Sequence, residues 1–307
     1  MDWKPIVVGV DASPEAAWAA TTGAALAKVG GTTCHLVHVT RAVVPAAVLG
    51  ELPERTEDLA AAQLAHARDQ VERRLRSMVP AALLDQMVVR AGRPARVLKD
   101  IVQETGAGLL ILGGKHHSAL GRWLAGSTGL DVARTTDVPL LITVSSRTPI
   151  RRVLAAVDVS GAAQPTIAAA ERFALAQGAQ LRVMSVLEPL PVLPAASSYP
   201  TTEFYNMLEE QIIREIWPLV QARDAEKVVR YGLPADRIIE EAAAWEADLL
   251  VVASHGKGWL DRLLIGSVTE RLLNQLPTSL LVLPAHAYVQ EREAVPVGMA
   301  IPHQLVG

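Results

Sequence analysis

The sequence predicts an α/β protein of two consecutive doubly wound sheets, each parallel and five-stranded. Two observations carry that expectation. The chain repeats itself once along its length, and each copy alternates short apolar runs with longer amphipathic stretches. Such alternation builds a parallel sheet with helices on both faces.

The repeat sets the organisation. The segment IVVGVDAS, Ile6 to Ser13, returns as VLAAVDVS, Val153 to Ser160, so Asp158 follows Asp11 by 147 positions (158 − 11). Val39 and Val186, which end HLVHV and LRVMSV, keep that offset. Later landmarks keep an offset of 140: RAGRPARVL with Gly92 against RYGLPADRII with Gly232, and Gly126-Ser127 against Gly266-Ser267. The second copy is therefore seven residues shorter between Val186 and Gly232, in a surface loop and helix where length changes are tolerated. The expected units are 1–147 and 148–285, dividing near Ser145–Ile150, with a tail over 286–307.

In the first copy Ile6–Val10, Thr33–Val39, Met87–Arg90, Leu109–Leu112 and Leu140–Val144 read as strands, short and apolar on both faces as buried parallel strands are. Between them, Val97, Leu98, Ile101 and Val102 form a one-sided helical stripe, repeated by Ile238, Ile239, Ala242 and Ala243. Glu188–Pro200 is proline-rich and reads as an irregular loop, and Trp217-Pro218 as a kink or helix end.

Composition narrows the function. Half of the 307 residues are apolar, enough for two cores. With 29 basic and 32 acidic residues the net charge is −3, so no diffuse positive field awaits a nucleic-acid backbone. No apolar run is long enough to span a bilayer, and Met1-Asp2-Trp3-Lys4-Pro5 lacks a secretory layout. The single cysteine, Cys34, forms no internal disulfide and reads as a small apolar filler. The expectation is a cytoplasmic protein without a nucleic-acid or membrane partner.

In a doubly wound sheet, ligands bind beyond the carboxyl ends of the strands where strand order reverses. After its fourth strand the second copy reads VASHGKGWLDRLLIGSVTE, from Val252 to Glu270, with Ala253, Gly256 and Gly266-Ser267 at set spacing. The first copy has Gly113, then His116, then Gly126-Ser127. These segments resemble the ATP loop of the universal stress protein family: Gly, two residues, Gly, nine residues, then Gly-Ser or Gly-Thr. Only the first glycine is replaced in copy two, by Ala253; in copy one the middle glycine is His116. The VDxS strand end, the G-x-P before the third helix and the final strand also match in both copies, so the resemblance covers nearly all of the chain except the tail.

The resemblance implies that Gly256, Gly266, Ser267 and Val268 hold phosphates. It implies that Asp158 and the backbone of Val186 face adenine, with Val252 and Ala253 near the ribose. The matching positions of copy one are Asp11, Val39, Gly113, Gly126 and Ser127. The implied cofactor is ATP with Mg²⁺. The spacing has a physical reason: a glycine-rich turn lets backbone N–H groups converge on phosphate oxygens, and a helix opening at Gly266-Ser267 presents unpaired donors to an anion. The family also pairs single modules through the last strand, here Leu140–Val144 and Leu280–Leu283. That implies an internal pairing around a pseudo-two-fold axis, with a homodimer left open.

Each motif has a plainer reading. Ser267 with Glu270 spells a capping box that needs no ligand. Asp158 is a common turn-capping residue, and Lys257 and Arg262 suit solvated surface. At a glycine position of positive φ, His116 costs on the order of 1 kcal/mol and crowds the phosphate space. His116 and His117 lack further ligands for a metal, and His35 and His38 suit strand packing. An ATP-hydrolysing reading has only Asp261 and Glu270 as carboxylates near the loop, with no base motif. The expected function is nucleotide-dependent stress signalling through a protein partner, without catalysis. The alternative is a nucleotide-free scaffold for proteins or an apolar ligand.

Overall fold

The computed structural model describes residues 5–40, 53–114, 128–145, 149–189, 201–255 and 265–284. In the first half, β1 (Ile6–Val10), α1 (Pro14–Gly30), β2 (Cys34–Thr40), α2 (Pro53–Leu75) and α3 (Ala81–Asp85) lead into β3 (Val88–Ala91). Then come α4 (Pro94–Thr105), β4 (Leu109–Gly113), α5 (Thr128–Thr135) and β5 (Leu140–Thr143). The second half runs β6 (Arg152–Ala156), α6 (Ala163–Gln177), β7 (Gln180–Leu187), α7 (Thr201–Glu215), β8 (Glu226–Tyr231), α8 (Pro234–Ala244), β9 (Leu249–Ala253), α9 (Ser267–Gln275) and β10 (Ser279–Leu283).

The two five-stranded parallel sheets merge into one ten-stranded sheet of order β3-β2-β1-β4-β5-β10-β9-β6-β7-β8. The junction is antiparallel, with Leu141 opposite Leu281, and every other strand pair is parallel. Pairing β5 with β10 covers two apolar edges that would otherwise attract a second chain.

Alternation along the strands divides the interior. Ile6, Val8, Leu109 and Ile111 belong to the layer that also holds α1, α2, α6 and α7, whereas Val7, Leu110 and Leu112 belong to that of α4, α5, α8 and α9. Both layers run unbroken through the junction between halves. The outer strands behave differently: β3 and β8 are largely exposed, each having among the described residues a neighbour on one side alone.

The length difference lies in the second crossover. There α2 has 23 residues against 15 in α7, and α3 is replaced by a 3-10 turn over Trp217–Leu219. Proline after Trp217 ends the α-helix as expected. The helical stripes are placed, with one correction: Ala243 is exposed, and Glu241 is buried on that helix instead. The G-x-P turns depend on glycine, since Gly92 and Gly232 have φ of 152° and 137°. Among the described residues no helix is long and apolar enough to cross a membrane.

Candidate functional site

Strand order reverses between β6 and β9, and the chain leaves both strands at the same edge of the sheet. A cavity of about 580 Å³ opens there, within the range of small-ligand sites. Asp158, Val186, Val252, Ala253, Gly266, Ser267 and Val268 all line it. Gly256 lies outside the described residues, as do Gly258, Lys257, Asp261 and Arg262.

The anionic end of such a site is the start of α9. Its N-cap is Gly266 with φ −62° and ψ 144°, and among the described residues no side chain caps the helix. Ser267 is therefore the first helical residue, which corrects the capping-box reading. The N–H groups of Ser267, Val268 and Thr269 have no partner within the helix and carry the positive end of its dipole. Glu270 does not reach back to them; its Oε1 accepts from Arg134 Nη2 of α5 at 3.2 Å. Two bonds anchor this turn: Gly266 N donates to Ser254 O at 2.8 Å, and Thr269 Oγ1 donates to Ala253 O at 2.7 Å.

Asp158 is half-buried beyond β6 and accepts from Ser160 Oγ at 2.5 Å. The inward hydroxyls are spent on backbone: Ser185 Oγ donates to Val157 O at 2.9 Å and Thr166 Oγ1 to Ala162 O at 2.7 Å. His255 Nδ1 lies 2.8 Å from Ser254 Oγ, and burial holds its ring pKa below the usual histidine value. The ring is therefore neutral at neutral pH.

One wall went unnoticed in sequence. Phe204, Leu208, Gln211 and Ile212 of α7 line the cavity, as do Pro234 and Ile238 of α8. Their spacing on α7 is that of any core-facing helix, so periodicity carries no sign of a ligand. His255, in the loop read for its glycines, is likewise an addition.

The first half differs in detail. Asp11 is exposed and accepts from Ser13 N at 2.9 Å, a local turn, while Ser13 Oγ caps α1 through Ala16 N at 3.2 Å. Val39 is half-buried on β2. A Cβ on Gly113 would sit 2.5 Å from the backbone C and O of Glu15, whereas Ala253 carries its methyl at the matching position. The start of α1 thus occupies the space beside this strand end. Gly126, Ser127, His116 and His117 lie outside the described residues. His38 Nδ1 contacts Val10 O at 2.8 Å and His35 Nε2 contacts Thr33 Oγ1 at 3.1 Å, both local packing.

The family model for the universal stress protein family matches residues 2–143 and again 149–284. A universal stress protein of Mycolicibacterium smegmatis is 27% identical over 293 residues, covering 90% of this chain and 96% of the relative. One from Mycobacterium tuberculosis is 28% identical over 283 residues, covering 88% and 93%. In fold, the chain is similar to a universal stress protein of Archaeoglobus fulgidus (TM-score 0.62, 17% identity, 91% and 98% covered). It is also similar to a Pseudomonas aeruginosa protein of unknown function (TM-score 0.61, 19% identity, 94% and 95% covered). Two successive matches spanning nearly all of the described chain, on a duplicated fold of this type, place the chain in the universal stress protein family.

Proposed function

We propose that this protein binds one adenine nucleotide per chain, ATP with Mg²⁺, in the second half, and acts as a cytoplasmic stress-signalling protein. The observation that carries the reading is a single cavity lined both by Asp158 and Val186 and by Gly266, Ser267 and Val268 at the start of α9. A triphosphate suits the α9 end, where Gly266, Ser267 and Val268 offer backbone donors, with Gly256 assigned to the same loop. The base suits the carboxyl ends of β6 and β7, beside apolar Val186. Among the described residues Asp158 and Glu188 are the carboxylates lining the cavity, and no three metal-binding side chains cluster. Magnesium is therefore assigned mainly to phosphate oxygens, as is usual for this ion.

The first-half positions Asp11, Val39, Gly113, Gly126 and Ser127 are assigned as a degenerate copy, because α1 crowds Gly113 and His116 replaces a glycine. The units remain assigned as 1–147 and 148–285 with a tail over 286–307. Binding rather than turnover is the proposed activity, with a binding-dependent conformational change read by a protein partner.

A second reading, a nucleotide-free scaffold holding an apolar ligand, draws on the Phe204, Leu208 and Ile212 wall. Calorimetric titration with ATP and Mg²⁺, after extraction of any co-purified nucleotide, separates the two. One site per chain, lost in Gly256→Val and weakened at least about tenfold in Gly266→Val, supports the nucleotide reading. No binding and no extracted nucleotide overturns it in favour of the scaffold.

A further inference from the structure

The sequence Ser267-Val268-Thr269-Glu270 encodes a capping box that the fold does not form. In a capping box, the glutamate turns back to accept from the N–H of the serine, while the serine hydroxyl accepts from the N–H of the glutamate. Here that glutamate is held elsewhere. Arg134, near the end of α5 in the other half and 136 residues away, donates to its Oε1 at 3.2 Å, while Glu270 N stays in the helix, bonded to Gly266 O at 2.8 Å. The two side chains are 36% and 39% exposed, so solvent reaches the pair without dissolving its geometry. Glu270 is absent from the cavity lining, whereas its neighbours Ser267, Val268 and Thr269 are all part of it.

We propose that Arg134 of the first half is a positioning residue for the anion site of the second half. By holding the Glu270 carboxylate against α5, it keeps the first turn of α9 open to a polyphosphate. Released from Arg134, the glutamate closes the capping box that its sequence encodes. The helix then starts one residue later, the Ser267 N–H is filled by that carboxylate, and a negative charge stands where an anion would bind. The inference rests on the proposed nucleotide reading and adds a control exerted by one half of the duplication on the other.

The test is a calorimetric titration of the full chain with ATP and, separately, with inorganic tripolyphosphate. The wild type is compared with Arg134→Gln, Arg134→Lys, Glu270→Ala and the double variant Arg134→Gln/Glu270→Ala. Arg134→Gln is expected to weaken both ligands about threefold, the scale an exposed ion pair commands. Arg134→Lys keeps most of the affinity. The double variant regains wild-type affinity, because no carboxylate remains to close the turn. Alanine is used at 270 because glutamine also forms the box.

Unchanged affinity in Arg134→Gln overturns the proposal. So does a double variant as weak as the single one, which would mean that Arg134 merely ties the halves together. A wild-type protein that binds neither ligand overturns the nucleotide reading itself, a result distinct from a wild type that binds and does not respond to residue 134.

Discussion

Arg182 on β7 reaches Glu241 on α8, Nη1 to Oε1 at 2.5 Å, although the Glu241 side chain is only 5% exposed. Arg230 of β8 donates to the other carboxylate oxygen at 2.8 Å, and Arg182 also lies 4.4 Å from the ring centre of Trp245. Both oxygens of a buried carboxylate are thereby satisfied, which is the condition for burying one. The pairing clamps α8 across β7 and β8, and α8 supplies Ile238 to the cavity.

Glu241→Ala is expected to cost about 3 kcal/mol, since removing one partner leaves desolvated arginine behind. Glu226→Ala, which also removes an Arg182 partner but an exposed one, is expected to cost less than about 1 kcal/mol. Urea unfolding of both variants checks the ratio; equal losses would mean that the buried pair confers no special stability.

Gly114→Ala tests the contact between halves. A Cβ there would meet Ile142 Cγ2 of its own half and lie 2.8 Å from Leu276 Cδ1 of the other. Leu276 is itself held at φ 36°, a left-handed conformation unusual for leucine, and is buried. With both neighbours buried, the added methyl should destabilise by about 1–3 kcal/mol in urea unfolding. A neutral result would show that α9 can shift.

Cys34 should resist thiol reagents at pH 8 in the folded protein and react at an ordinary rate in denaturant. Burial pushes its pKa up to about 12 from 9.0, and the thiolate is the reactive form. The folded pKa is the higher one, so this group's contribution to stability is complete below pH 9 and is lost as pH rises from 9 towards 12. Comparing alkaline unfolding of the wild type with Cys34→Ala isolates that limb; identical profiles would contradict the burial argument.

His255 titrates in the opposite sense. Burial lowers its pKa, so the unfolded chain binds a proton more readily and stability falls as pH drops below 6.5. His255→Gln should flatten that part of the profile relative to the wild type, as read from urea midpoints between pH 7 and pH 5. A slope unaffected by the substitution would assign the loss to other groups.

The main architecture was legible because burial on both faces leaves a plain signature. Five apolar runs in order, repeated at offsets of 147 and 140, allow little but two parallel sheets, and the boundary shifts of a residue or so in β2 and β3 change no side chain's layer. The edge positions were less legible, since apolar Val88 looks like core although it is exposed on β3, whereas its neighbour Val89 does pack against the core. Glu241 was hidden for a related reason: its two arginines come from strands 59 and 11 residues away, so the pattern of α8 alone marks it as a surface residue.

For the candidate site, strand ends at a topological switch point marked where to look, and the resemblance to the universal stress protein loop marked Asp158, Val186, Ala253 and Gly266-Ser267, all of which line the cavity. The α7 wall escaped notice, since an apolar helix face looks the same whether it meets core or ligand.

What the sequence by itself determined is the duplication, the fold of each copy and the residues offered at each strand end, all of which follow from periodicity and local backbone demands. What only the tertiary structure decided is whether Ser267 and Glu270 form a capping box. Local chemistry favours the box, but β5 and β10 pair and carry α5 to α9, so that an arginine from the other half takes the carboxylate instead. Non-local contacts override a local preference worth about 1 kcal/mol whenever packing brings a competing partner within reach.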